Sequence, residues 1–113
     1  MLYNFRPQFE KSIRDGVKTQ TIRANGKRRH PSKGEKLQLY TGLRSSKAKK
    51  IRDAVCVGSM ICHIRKDGIS LLIDVDDLDR FAQQDGFTDF AQLRDFFLNS
   101  YGLPFRGRLI MWK

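Results

Sequence analysis

Lysine, arginine and two threonines are crowded into one short stretch, Gly16-Val17-Lys18-Thr19-Gln20-Thr21-Ile22-Arg23. An amine held beside a hydroxyl can do two kinds of chemistry. When charged, it binds phosphate while the hydroxyl hydrogen-bonds a base edge. When neutral, it is a general base that activates the hydroxyl as a nucleophile. The neutral form requires desolvation or a nearby cation to lower the amine pKa, and Arg23 is such a cation. On an ideal strand successive side chains alternate faces. Thr19, Thr21 and Arg23 then share one face, while Lys18 points the other way. Lys18 can join Thr21 only if the chain turns or bulges just after Gly16. The lysine is therefore read as part of a turn, reaching into a site that the strand's threonine lines.

Other reactive side chains are few. Cys56 and Cys62 fall within one apparent strand, whose extended geometry would hold them about 20 Å apart, too far for a disulfide. They read as small buried hydrophobes. His30 and His63 do not complete a metal-binding pattern with them. No metal and no cofactor are expected.

The elements that must position the lysine and threonine follow from periodicity and breakers. Residues 7–15 read as a short helix, with Pro7 at the start, Phe9 and Ile13 four apart, and Gly16 as the stop. Residues 19–23 read as a strand. Asn25-Gly26, Pro31 and Gly34 make 24–35 a loop. Leu37, Leu39 and Thr41 alternate along a strand at 36–41. Residues 42–53 read as a second loop, and 54–66 as a long strand bent or bulged at Gly58-Ser59. Asp67-Gly68 signals a hairpin with 69–73 as the return strand. A helix at 74–86 carries acids in its first turn, where the dipole favours them, and Gly86 ends it. Thr88 is placed to cap a helix at 89–100, and 108–113 closes the chain as a strand. Tyr101 and Trp112 read as core residues. About five strands and three short helices in 113 residues predict a single α+β domain, a small mixed β-barrel with helices packed on it.

The net charge is +10. Residues 23–52 hold eleven Lys or Arg and a single acid, Glu35, so that segment alone accounts for the whole surplus. Lys27, Arg28, Arg29 and Lys33 fall in the first predicted loop. Arg44, Lys47, Lys49, Lys50 and Arg52 fall in the second. Such asymmetry is the footprint of a polyanion binder; an acidic protein partner is a further possibility, and a merely solvated charged face the bland one. No apolar run approaches the length of a membrane span and the start lacks the apolar block of a signal peptide. A cytoplasmic monomer, without membrane attachment, is expected.

The stretch GVKTQTIR matches the G-x-K-x-x-T-x-R signature of the ASCH domain family, whose fold resembles the PUA domain. KGEKLQLY is similar to the family's Gly-Asp-x-Leu segment, with Glu35 in place of the Asp. FAQQDGFTDFAQLRDFF resembles its acidic-ended helix, turn and following helix, and YGLPFRGRLIMWK its terminal loop and strand. The resemblance covers nearly the whole chain and implies a PUA-like barrel with a cleft beside it that binds RNA or other nucleic acid. A small bacterial subgroup consists of amidohydrolases that remove the acyl group from N4-acetylcytidine with a lysine, a threonine and a glutamate. By motif position these fall on Lys18, Thr21 and Asp85, so the acid here is one methylene shorter. Ribonuclease activity is ascribed to other members, but no motif carries those residues onto this chain.

The expected ligand pocket is Lys18, Thr21, Arg23 and Asp85, taking a base or a modified nucleoside, with the two basic loops gripping phosphates. In the alternative, Thr21 is the nucleophile of an amide hydrolysis, Lys18 its base, and Asp85 orients or protonates the leaving amine. A purely structural Lys18–Asp85 ion pair would use the same residues.

Overall fold

The structure is a computed structural model that describes all 113 residues. The chain begins with a strand, β1 (Leu2–Phe5), in which Tyr3 and Phe5 turn inward and Leu2 and Asn4 outward. A 3-10 turn at Pro7–Phe9 leads into the short helix α1 (Glu10–Arg14). Strands β2 (Gln20–Ala24) and β3 (Lys36–Thr41) follow, then β4 (Lys49–Arg65) and β5 (Gly68–Ser70). Helices α2 (Leu78–Gln84) and α3 (Phe90–Ser100) precede the last strand, β6 (Phe105–Trp112).

All six strands join one mixed sheet, in the order β1-β3-β4-β6-β2, with β5 paired to β4. β4 is its spine. Its first part pairs antiparallel with β3, setting Leu37 opposite Ala54, and its second part pairs with β6, setting Cys62 opposite Gly107. The register slips between Cys56 and Gly58, where Gly58-Ser59 signalled a bulge. β2 runs antiparallel to β6, with Ala24 opposite Gly107. A side chain at Gly107 would strike the Arg23 carbonyl oxygen and the Phe105 ring, so glycine lets β2 lie close. β1 lies parallel to β3, Leu2 opposite Gln38 and Phe5 opposite Thr41.

The α+β class stands, but the sheet does not close into a barrel: β1 and β2 end the strand order, and no backbone ladder joins them. Arginine side chains span the gap. Arg23 Nη2 donates to the Asn4 carbonyl at 2.7 Å, and Arg28 Nη2 donates to the Leu2 carbonyl. Both guanidinium groups lie over aromatic rings of β1. Arg23 sits 4.7 Å from the Phe5 centroid and 5.3 Å from that of Tyr3, and Arg28 sits 4.6 Å from Tyr3. Such stacking suits the planar guanidinium. β1 is the strand the sequence reading omitted, since four residues before a proline give only two apolar–polar alternations.

Several boundaries differ from expectation for local reasons. β4 begins at Lys49, so Lys49, Lys50 and Arg52 belong to a strand and the loop is only 42–48. β5 ends at Ser70, because the Leu71 amide turns back to the Ile73 carbonyl at 2.9 Å, leaving Leu72 and Ile73 exposed. Asp77 caps α2 by accepting from the Arg80 amide at 3.0 Å. The preceding acids therefore lie outside the helix, and α2 is shorter than 74–86. Asp89, not Thr88, caps α3, accepting from the Gln92 amide at 2.9 Å, while Gln92 Oε1 returns to the Thr88 amide at 2.6 Å. β6 starts three residues earlier than expected, at Phe105.

The 3-10 turn and the helices are tied together by aromatic side chains. Phe9 meets Phe87 at 5.5 Å, Phe87 meets Phe96 at 5.3 Å, and Phe97 meets Phe105 at 4.9 Å. Each such pair contributes about 0.5–1.5 kcal/mol beyond its buried area. This run of rings fixes α3 beside the open side of the sheet. No helix is long and apolar enough to cross a membrane.

Candidate functional site

A cleft of about 550 Å³ opens where the β1–β2 gap faces the aromatic run. Its lining brings together Lys18, Thr21, Arg23 and Asp85, the four residues expected there.

The turn after α1 delivers the lysine. Gly16 adopts a positive φ of 78°, which glycine tolerates best. The Val17 and Lys18 amides then both donate to the Ser12 carbonyl, at 2.9 Å each. Lys18 thus precedes β2, which starts at Gln20, and escapes the strand's alternation. The Thr19 amide donates to Gln84 O at 2.8 Å, fastening this turn to the end of α2. Asp85 is the C-terminal cap residue of that helix.

Lys18 and Asp85 are each only 2% exposed. The ammonium makes its short contact with the helix-terminal Asp85 carbonyl, 2.5 Å from Nζ, while carboxylate Oδ1 stands off at 3.9 Å. A cation suits the carbonyl end of a helix. The Phe9 and Phe5 rings lie 4.8 Å and 5.6 Å from Nζ and complete its surroundings. Asp85 Oδ1 is buried and receives no hydrogen bond of ordinary geometry; the Gln20 amide, which acts on the same carboxyl, donates to the Phe81 carbonyl. A buried acceptor without a partner is costly, and this one belongs to a residue that lines the cleft.

Burial sets the titration of both groups. It lowers the Lys18 pKa to about 8, with Asp85 opposing the shift and Arg23 adding to it. It raises the Asp85 carboxyl to about 6, against the pull of Lys18, Gln20 and Arg23. Burial also holds the Arg23 guanidinium below its ordinary value. Arg23 Nε donates to Thr21 Oγ1 at 3.2 Å, so the threonine's own proton is free to be donated elsewhere. Cys62 is inert: burial first, and the Asp85 charge second, push its thiol up to about 12. Cys56 and Cys62 are both free and buried.

Sequence reasoning missed the apolar walls of the cleft. Phe5 and Phe9 lie against the lysine, and Phe87, Phe96 and Tyr101 also line the cleft. Tyr101 is not core, being 58% exposed and stacked on Phe97 with centroids 5.9 Å apart, whereas Trp112 is buried. The alternation in Leu2-Tyr3-Asn4-Phe5 was the one available signal for the β1 contribution.

The basic residues divide into groups. Arg44 lines the cleft, as does Arg6, whose guanidinium lies 4.8 Å from the Phe96 centroid. Lys27, Arg28 and Arg29 line a second cavity of about 210 Å³ with Tyr3, Arg23 and His30. Lys33 and Lys47 are exposed on the two loops. Three cations are already paired: Arg29 with Glu35 at 2.6 Å, Lys49 with Glu10 at 3.1 Å and Lys50 with Asp53 at 2.8 Å. Arg52 lines neither cavity and donates to the Asp53 carbonyl at 2.9 Å. No cluster of His, Cys, Asp and Glu that could hold a metal ion is present.

Gly86 allows the lysine to pass. It has φ +92°, and a Cβ there would lie 2.9 Å from both Lys18 Cδ and Phe9 Cδ1. Gly86→Ala is expected to destabilise the fold by about 1–3 kcal/mol through strain and displacement of Lys18, read as a lower urea midpoint. An unchanged midpoint would show that the turn relaxes freely.

Compared with known proteins, the chain matches no family model, no curated protein and no solved structure.

Proposed function

We propose that this chain is an ASCH-type module that binds single-stranded RNA or another nucleic acid and takes one base into the cleft. The observation that carries this reading is the unpartnered, buried carboxylate oxygen of Asp85, a residue that lines an aromatic-sided cleft. Flipped bases are held in such pockets by hydrogen bonds to their Watson–Crick edge and by stacking on aromatic side chains. Asp85 accepts, the Lys18 ammonium donates, and Thr21 donates a proton while accepting from Arg23. That set complements cytosine, which offers an exocyclic amino donor beside ring and carbonyl acceptors. Adenine also offers an amino group, whereas uracil offers a carbonyl in its place. Arg44 lines the cleft, and the exposed Lys27, Lys33 and Lys47 of the two basic loops contribute salt-dependent phosphate contacts.

Titration of single-stranded oligocytidine and oligouridine RNA over a range of salt tests the reading. Oligocytidine is expected to bind more tightly by about tenfold or more, since a hydrogen bond to a charged group is worth roughly 1.5–3 kcal/mol. Asp85→Leu should bring the two affinities together. Replacing Lys27, Arg28 and Arg29 by Ala should weaken both RNAs alike and flatten the salt slope by about one per lost phosphate contact. Equal affinities in the wild type, with a slope unmoved by the triple replacement, would overturn the proposal.

Amide hydrolysis of an N4-acylated cytidine by Lys18, Thr21 and Asp85 is a second reading. It is favoured by one observation, the displacement of the lysine and the carboxyl toward neutrality, a pattern that clusters at catalytic sites.

A further inference from the structure

The second cavity, of about 210 Å³, is lined by the start of the β2–β3 loop and by the Tyr3 ring. Arg23 lines both this cavity and the cleft, so the two meet at one side chain. Arg23, Lys27, Arg28 and Arg29 contribute to the cavity wall, and no acid does.

We propose that this cavity is a phosphate subsite, and that the ligand of the whole site is a nucleotide. Its base enters the cleft and its phosphate rests against Lys27, Arg28 and Arg23. The inference rests on the base-binding reading above and deepens it, since a free nucleoside would leave the second cavity empty.

The donor inventory supports it. Arg23 commits Nε to Thr21 and Nη2 to Asn4 O, which leaves Nη1 of a five-donor fork unspent. Arg28 commits Nη2 to Leu2 O while its plane is held on the Tyr3 ring. Both guanidinium groups are therefore preset in orientation yet retain donors, and an ordered fork loses little freedom on binding. Lys27 is exposed and meets no carboxylate. Arg29 is the cation already neutralised, gripped by both Glu35 oxygens at 2.9 Å and 2.6 Å, so it contributes least. Gly26 has open space around its Cα, so the loop backbone can approach an anion closely. The β1–β2 gap bridged by arginine is thus also the wall between a base site and a phosphate site.

Calorimetric titration of the intact protein with cytidine, cytidine 5′-monophosphate, cytidine 3′-monophosphate, the dinucleotide CpC and inorganic phosphate tests this. At least one monophosphate or the dinucleotide is expected to bind about tenfold or more tightly than cytidine. If the phosphodiester of CpC suffices, the source is a strand; if only a monoester gains, it is a free nucleotide. Lys27→Glu, an exposed change that spares the core, is expected to bring the nucleotide-to-nucleoside affinity ratio to within about twofold of one. Cytidine binding as well as all its phosphorylated forms would overturn the phosphate subsite and leave the base site standing. Inorganic phosphate and the monophosphates binding alike and sensitive to Lys27→Glu, with no binding of cytidine, would sustain the anion site and overturn the base reading. No binding of any of the five would overturn both.

Discussion

Lys18→Met is expected to cost about 3–5 kcal/mol of stability at pH 8 and far less at pH 5. Breaking a buried ion pair from one side strands the other charge, and losses of this size are usual. Here the stranded group is the Asp85 carboxylate, 2% exposed and without a donor on Oδ1. Its pKa is already raised to about 6 by burial, and Lys18 is the strongest influence drawing it down. Without the lysine it climbs further. A carboxyl raised above its unfolded value of 3.8 holds more protons folded than unfolded, so stability falls as pH rises through that window. In the wild type the fall is complete a little above pH 6; in Lys18→Met it continues toward neutral pH and beyond. Lys18 acts at the alkaline end. Lowered from 10.5 to about 8, it binds fewer protons folded than unfolded, so stability rises with pH between those values. The pair therefore contributes least between about pH 6 and pH 8, where both groups are charged. Urea unfolding of both proteins at pH 5 and pH 8 reads the effect. Lys18→Met/Asp85→Leu should recover much of the loss, since an apolar replacement of a whole buried pair is often neutral or better. Equal losses at both pH values would show that packing of the lysine stem, and not the charge left behind, dominates.

N4-acetylcytidine incubated with the wild type is expected to be recovered intact by chromatography, because the resting protonation state is wrong for the alternative chemistry. A general base needs the Lys18 amine neutral, and an acid for the leaving group needs Asp85 protonated. With the amine lowered only to about 8 and the carboxyl raised only to about 6, the ionised pair is the predominant form and the neutral tautomer the minor one. The two forms hold the same number of protons, so no pH enriches the competent one relative to the ion pair. An amidohydrolase built on this pair would show a bell-shaped profile with limbs near those two values. Lys18→Ala would lower its rate by about 10²-fold or more, as for loss of a positioned general base. Asp85→Glu, which lengthens the acid by one methylene, would raise it. Measured deacylation that disappears in folded Lys18→Ala would overturn a purely binding role.

Much of this site was legible in advance because its residues lie in strongly patterned segments. Lys18 had to leave the strand if it was to meet Thr21, and the turn after Gly16 removes it by two amide bonds to one carbonyl. The hub strand, its bulge and the partner strand at 36–41 follow from plain alternation. β1 did not, because a four-residue strand is defined by its partner, and that partner is a parallel strand more than thirty residues away. The open β1–β2 edge was equally hidden: nothing local distinguishes arginines that bridge two strands from arginines that face water. Asp77 and Asp89 took the capping positions because each reaches an amide three residues ahead, a choice among neighbouring acids and hydroxyls that composition alone leaves open. The basic segment was legible as charge and not as geometry, and Lys49, Lys50 and Arg29 turn out to be partnered.

The pairing of β2 with β6 carries a consequence for the order of assembly. Thr21 lies opposite Ile110, and Arg23 opposite Arg108, so the strand that bears them has no ladder until residues 107–111 have left the ribosome. Contacts so distant in sequence close late and slowly. The spine strand with its neighbours β3 and β5 can form first, from residues 36–70. During synthesis β1 can already pair with β3, but Lys18 and Arg23 wait on a segment whose strand has no partner. A nascent chain stalled before residue 105 would thus carry its most basic segment without the cleft that gives that charge something to hold.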